Sequence, residues 1–432
     1  MRGESEKKQA VVLIHGVGEQ VPMDTLRGFV QTIWTDDDSL RREKVPQKVW
    51  SKPDDASKNY ELRRLTTAED RNRRRTDFFE FYWADLMTGT RWSHIVAWAR
   101  VLLFRSPRRI PGKLLPIWLG LVILGLLIGA GAIAHAFHWD PGPAWLGPTL
   151  GVVGSAVWLL FGGFLIATAG DAARYLHVAP SNIKSRRKIR DAGIELLTAL
   201  HEEGIYDRII VVGHSLGSVI GYDILTHLWA RYYNLHYPAA SKESGFALRE
   251  AELLAASKEP HGDFVTAFQT AARNLHDEQS VAGNPWLVTD FVTLGSPLAH
   301  ASVLLARDDD ELKAKRDERE FPTCPPVLES VEKLDRFSYK SNGAWVLHHA
   351  AVFGVTRWTN LYFPVRRILW GDIIGGPLQP SFGRGIRDIP VETKERGGFL
   401  AHTLYWSVPQ GVGSKDVPPH IARLREAVGI CE

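Results

Sequence analysis

The chain has 432 residues, 45% of them hydrophobic and 23% charged, and 52 basic against 49 acidic side chains leave a net charge of +3. That is the composition of a globular protein with a sizeable core, in one large or two ordinary domains, and the near balance of charge excludes a nucleic-acid partner. Only Cys324 and Cys431 occur, with no metal-ligand spacing around either, so a disulfide framework and a zinc site are excluded and a reducing compartment is expected.

The polar start MRGESEKKQA shows no cleavable signal peptide and runs into an apolar stretch, Ala10 to Ile14, that predicts a strand. It ends in His15-Gly16-Val17-Gly18, a glycine-containing loop whose backbone around Gly16 and Val17 can donate N–H groups to an oxyanion. Thr25 to Trp34 has helical spacing. Residues 36–75 are strongly charged without clear periodicity and read as surface loop and short elements, with the basic run at Arg71 and Arg73 to Arg75 a solvated face or a lipid-headgroup contact. Phe78 to Trp83 reads as a strand, expected beside the one that precedes Ser215.

Leu114 to Phe137 and Ala144 to Gly170 are 24 and 27 residues without a formal charge, joined by the tight turn HWDPGP. Each exceeds the roughly 20 residues a helix needs to cross a bilayer, so the pattern predicts a transmembrane hairpin. Basic residues flank both outer ends, including Arg105, Arg108 and Arg109 before and Arg186, Arg187 and Lys188 after. By the positive-inside rule both termini and the catalytic domain are then cytoplasmic, in an integral membrane protein with the bilayer as partner.

Asp207 to Leu225, DRIIVVGHSLGSVIGYDIL, is the most informative stretch. Four apolar residues, Ile209 to Val212, predict a buried parallel strand, and Gly213-His214-Ser215-Leu216-Gly217 turns it into a helix. This is the G-x-S-x-G elbow in its strand-to-helix context. Gly213 and Gly217 permit the tight turn, Ser215 is presented as a nucleophile, and the Leu216 N–H is placed to stabilise an oxyanion. His214 faces away and reads as structural.

Residues 232–286 form a long excursion with helical tracts near Glu243 to Ser257 and Phe264 to Leu275, a candidate lid. Leu287 to Leu294 is the next strand, leading into Gly295-Ser296-Pro297-Leu298. The charge alternation from Arg307 to Glu320 reads as a solvated helix rather than a metal site, despite Asp308 to Asp310.

A serine hydroxyl needs a histidine to take its proton, and that imidazole needs a carboxylate to fix its tautomer. Trp358 to Phe363 is a late strand whose exit loop carries Asp372 in a Gly/Pro-punctuated segment. Asp388 competes as the acid but stands just after Arg384 and Arg387, where a surface ion pair is expected. His402 follows about 30 residues after Asp372. His348 and His349 precede the acid, and His420 sits beside prolines near the terminus.

Together VVLIHGVGEQ, GHSLGSVIGYDIL, FVTLGSPLA, WTNLYFP with GDIIGGP, and the late histidine resemble the serine lipases and esterases of the α/β-hydrolase superfamily. The elbow and the LGSPL strand are similar to those of intracellular phospholipases of the DDHD type. The resemblance implies an α/β-hydrolase fold with a mostly parallel sheet, divided into residues 1–105 and 180–432 around the hairpin at 114–170. It implies Ser215 as nucleophile, Asp372 as acid, His402 as base and Val17 and Leu216 as backbone oxyanion donors, supported by His15, Gly16, Gly213 and Gly217, with no cofactor or metal. The substrate expected is a lipid or other acyl ester. A thioesterase or acyltransferase using the same triad, or an inactive membrane-docked interaction module, are the alternatives.

Overall fold

The computed structural model describes residues 7–17, 21–41, 48–87, 180–235, 245–257, 263–341, 343–366, 370–392, 401–408 and 417–430, with isolated positions between 107 and 176. Its strands are β1 (Lys7–Ile14), β2 (Val49–Pro53), β3 (Arg63–Thr67), β4 (Arg74–Phe81), β5 (Arg208–His214), β6 (Val288–Leu294), β7 (Glu329–Val331), β8 (Leu334–Arg336), β9 (Ser338–Ser341), β10 (Ala344–Leu347), β11 (Arg357–Tyr362) and β12 (Arg387–Pro390). Eight of them form the central sheet, in the order β12-β11-β6-β5-β1-β4-β3-β2. The other four, β7 with β8 and β9 with β10, form two small antiparallel hairpins. From β4 to β12 the main sheet is parallel throughout, and only β3 and β2 add to it antiparallel. The chain is therefore α/β with a mostly parallel central sheet.

The strands read as apolar runs because both faces are covered. Ala10, Val12 and Ile14 of β1 and Ile209 and Val211 of β5 enter one core, shared with α2 (Pro180–Glu202), α3 (Leu216–Tyr232), α4 (Phe246–Ala256) and α5 (Phe264–Val281). Val11, Leu13, Ile210 and Val212, which alternate with them, enter the other, built with α1 (Asp24–Val30) and the carboxyl-terminal helix Pro419–Ala427. From β1 the chain runs outward one way to β4; from β5 it runs the other way through β6 and β11. The order thus reverses between β1 and β5, and the crevice beyond their carboxyl ends is where such sheets bind ligands.

Several expectations are corrected. The strand at Phe78 to Phe81 does not flank the elbow strand, because β1 lies between β4 and β5. The short elements expected within residues 36–75 are not confined to the surface: β2 and β3 extend the central sheet there, with Thr66 and Thr67 buried. Their charged neighbours mask the alternation, since an edge ribbon carries polar side chains on its open face. Arg74 and Arg75 belong to β4 and contact Asp207 at 3.6 Å and Glu69 at 3.7 Å.

The two transmembrane helices and the cytoplasmic, membrane-spanning placement drawn from them are also corrected: no helix among the described residues is long and apolar enough to cross a membrane. The 23-residue α2 has the length but carries a dense basic face, and the apolar α3, at 17 residues, spans only about 26 Å. Almost all of 114–170 lies outside the described residues.

The excursion at 232–286 supplies α4 and α5, both packed into the fold. Phe268 and Leu275 of α5 are fully buried, and Gln269 Nε2 donates to Trp358 O of β11 at 3.0 Å. Glu252 of α4 is buried against Arg336 and Ser338.

Candidate active site

At the end of β5 the backbone of Ser215 takes φ 52° and ψ −127°, a conformation L residues rarely adopt, which costs on the order of 1–3 kcal/mol unless the surroundings impose it. Here they do. The Ser215 N–H donates to Leu294 O of β6 at 2.9 Å. One turn on, Ser218 Oγ lies 2.5 Å from the Ser215 carbonyl oxygen and 2.7 Å from Ser296 Oγ, tying the elbow to the loop after β6. A Cβ on Gly213 would come within 2.5 Å of Ser218 Cα, and one on Gly217 within 2.2 Å of Ile14 O. Strand, turn and helix can close to this distance only with glycine at both positions.

His402 stands in a single helical turn, Ala401–Thr403, and is brought 187 positions back to the serine, with Nε2 2.8 Å from Ser215 Oγ. Its Nδ1 lies 2.9 Å from Asp372 Oδ2. Asp372 leaves the sheet after β11, its N–H donating to Phe363 O at 3.1 Å, and its carboxylate is 1% exposed. Burial alone would raise the Asp372 pKa. The hydrogen bond and charge of His402, the Gly375 N–H and the Tyr405 hydroxyl outweigh burial and hold it down at about 2. Asp372 is therefore ionised at neutral pH and accepts the Nδ1 proton, leaving Nε2 free to accept one from Ser215.

Two groups that the sequence did not mark complete this chain. Tyr405 OH donates to the same Asp372 Oδ2 at 2.7 Å and accepts the Phe363 N–H at 3.3 Å. Its only sequence signal is its place three residues after His402. His214, read from sequence as merely structural, donates Nε2–H to the carbonyl oxygen of His402 at 2.9 Å, and its ring lies 5.1 Å from that of His402. Burial, then the neighbouring His402, lower the His214 pKa to about 3, so it stays neutral. Gly295, at φ +57°, brings the loop after β6 under this pair: a Cβ there would meet Asp372 Oδ2 at 2.7 Å and His402 Nδ1 at 3.1 Å.

The loop after β1 arrives from the adjacent strand. A Cβ on Gly16 would lie 2.9 Å from Ser215 Cβ, so this backbone passes directly against Ser215. Val17 follows it. His15 is fully buried, stacked on Trp83 with ring centroids 5.0 Å apart, donating Nδ1–H to Gly16 O at 2.8 Å and bonded through its carbonyl to Trp83 Nε1 at 3.0 Å. It clamps the loop to the end of β4, and burial lowers its pKa to about 4, so it is a neutral strut. Leu216 is the first residue of α3, and its N–H has no helical carbonyl four residues back to bond.

The competing residues fall elsewhere. Asp388 is not in a surface ion pair: it accepts from Asn360 Nδ2 at 2.7 Å and from the Leu378 and Gln379 N–H groups, holding the segment behind Asp372 in place. His348 donates Nε2–H to Val327 O, and His420 donates to Ser407 O. Among the described residues no group of three or more His, Cys, Asp or Glu side chains could hold a metal ion. No family model, curated protein or solved structure matches this chain.

Proposed function

We propose that the chain is a serine ester hydrolase of the α/β-hydrolase type, acting on carboxylic acyl esters, lipid acyl esters among them. The observation that carries the reading is the unbroken Ser215–His402–Asp372 relay of 2.8 and 2.9 Å at the carboxyl edge of the sheet. Its order along the chain, serine then acid then histidine, is the order of that class. The likeness of the GHSLG and LGSPL segments to those of phospholipases supports the lipid end of the substrate range.

In this mechanism Ser215 Oγ attacks the ester carbonyl as His402 Nε2 takes its proton. The carbonyl oxygen becomes an oxyanion held by the Val17 and Leu216 N–H groups. Collapse breaks the bond to the alkoxy oxygen, which leaves as the alcohol with the proton returned by His402. Water then enters, gives a proton to His402 and attacks the acyl-serine; its collapse restores Ser215 and releases the carboxylic acid. Asp372 keeps His402 in the Nδ1–H tautomer and stabilises the imidazolium.

A fluorophosphonate probe tests the reading directly. It is expected to label the full chain at Ser215, and p-nitrophenyl ester turnover is expected to fall by several orders of magnitude in Ser215→Ala. Unchanged turnover in that variant removes Ser215 from the chemistry.

A further inference from the structure

A cavity of about 310 Å³, whose lining includes none of Ser215, His402 and Asp372, lies along α3 between α2 and the Leu305–Phe321 segment. It falls at the small end of the range for small-molecule sites. Its lining divides in two. Leu176, Val219, Leu305 and Phe321 are apolar, whereas Arg186, Arg190 and Lys315 bring three cations against the carboxylates of Asp223 and Glu320.

The carboxylate of Asp223 is already engaged. Its Oδ2 accepts Nε and Nη2 of Arg190 at 3.0 and 2.6 Å and the Tyr175 hydroxyl at 2.8 Å. Arg186 is left at the margin: Nη2 stands 4.0 Å from that oxygen, beyond hydrogen-bond reach, and Nε is buried with no hydrogen-bond partner among the described residues. Its guanidinium faces the Tyr175 ring at 5.5 Å, and burial and then the repulsion of Arg190 both lower its pKa. A guanidinium carries five N–H donors, and a buried Nε–H without an acceptor is costly to keep, although the rest of the partly exposed group can reach solvent. Lys315 Nζ stands 3.7 and 3.6 Å from Glu311 and Glu320, donates a long 3.5 Å bond to Leu305 O and lies 5.3 Å over the Phe321 ring, contacts loose enough to be exchanged for one to an incoming oxygen.

We propose that this cavity is a binding site for an amphipathic oxyanion, a carboxylate or phosphate monoester head on an apolar chain, with Arg186 and Lys315 receiving the head and Val219, Leu305 and Phe321 the chain. The site is separate from the Ser215–His402–Asp372 relay and does not depend on its chemistry.

Titration calorimetry of the full chain with octanoate, octyl phosphate, octanol and octylamine tests it. Both anions are expected to bind and the alcohol and amine not to; the relative strength of the two anions separates a carboxylate source from a phosphate one. Arg186→Gln is expected to weaken anion binding about 10- to 100-fold, the loss of one charge-assisted contact, while leaving p-nitrophenyl acetate turnover unchanged as a check that the variant is folded. If Arg186→Gln does not fold, Lys315→Gln is the second variant, with the same direction of effect. Absence of binding by either anion, equal binding of octanol, or undiminished anion binding in the folded variant overturns the proposal.

Discussion

Tyr405 and His402 converge on one oxygen of Asp372, the hydroxyl at 2.7 Å and the imidazole Nδ1 at 2.9 Å. A carboxylate oxygen accepting from both sides cannot rotate without losing two bonds, so Tyr405 fixes the acid that fixes the base. Tyr405→Phe deletes one donor to a buried anion, and turnover is expected to fall about tenfold, with about 1.5–3 kcal/mol lost from stability. Asp372 has a depressed pKa, so the stability it contributes is full above its ordinary 3.8 and is lost as pH falls toward about 2. The stability gap between the two proteins in chemical denaturation should therefore be widest above pH 4 and shrink toward pH 2.

The two candidate acids are separated by their partners. Asp372→Asn leaves His402 with the wrong tautomer and is expected to cost on the order of 10⁴ in kcat. Asp388→Asn disturbs the bonds to Asn360, Leu378 and Gln379, and is expected to lower the melting temperature while keeping most of the turnover. Ester hydrolysis and thermal melts of both variants decide it; loss of turnover in Asp388→Asn alone reverses the assignment.

The bond from His214 to the carbonyl of His402 predicts a positioning effect. His214→Phe keeps a ring but leaves that carbonyl without its donor, and kcat is expected to fall about tenfold with KM little changed. His214→Gln, whose amide can stand where Nε2 stood, should recover much of the loss.

Glu80 of β4 is fully buried and uses Oε2 to accept the Met23 N–H at 2.6 Å, while Oε1 has no partner. Burial first, and Asp24 after it, lift its pKa from 4.5 to about 7 despite the Met23 bond. A raised carboxyl favours folding while protonated, so this contribution is whole below pH 4.5 and is lost as pH rises through 7. Relative to Glu80→Gln, the wild-type chain should lose about 3 kcal/mol of stability between pH 4 and 8, since each tenfold difference in proton affinity between the folded and unfolded chain is worth about 1.4 kcal/mol. Parallel curves for the two proteins in denaturant melts across that range would rule out the linkage.

Gly217→Ala places a methyl 2.2 Å from Ile14 O, and backbone atoms there have no room to give. A cost of at least about 1–3 kcal/mol is expected, with turnover falling more steeply than the melting temperature because the elbow itself is displaced.

What could be read from the sequence was whatever is local. The elbow needs two glycines and a serine at fixed spacing between an apolar run and a helix, and the structure has β5, the turn and α3 where that spacing places them. Asp372 and His402 were legible through order along the chain, because an acid and then a histidine after the serine is the order of the hydrolases that the segments resemble. Tyr405 was not, because its contribution is a hydrogen bond made across a loop and nothing in its own neighbours marks it. The strand order was misjudged for a related reason: Phe78 to Phe81, apolar apart from Glu80, and Ala10 to Ile14 both read as buried strands, and only pairing decides which lies beside β5. The ribbon of β2 and β3 escaped notice because its partly exposed side chains carry the same charges as a loop.

Ile14 pairs with Gly213 across the β1–β5 ladder, so the last residue of one strand stands level with the glycine that begins the turn of the other. The loop after β1 and Ser215 are thereby aligned by backbone pairing, before the His15–Trp83 and Ser218–Ser296 contacts add to it. A slip of one position would carry the loop about 3.3 Å along and turn every β1 side chain to the opposite core. Catalytic output is thus a stricter gauge of correct assembly than helix and strand content, and refolded material with native-like circular dichroism but no turnover would point to a misregistered β1.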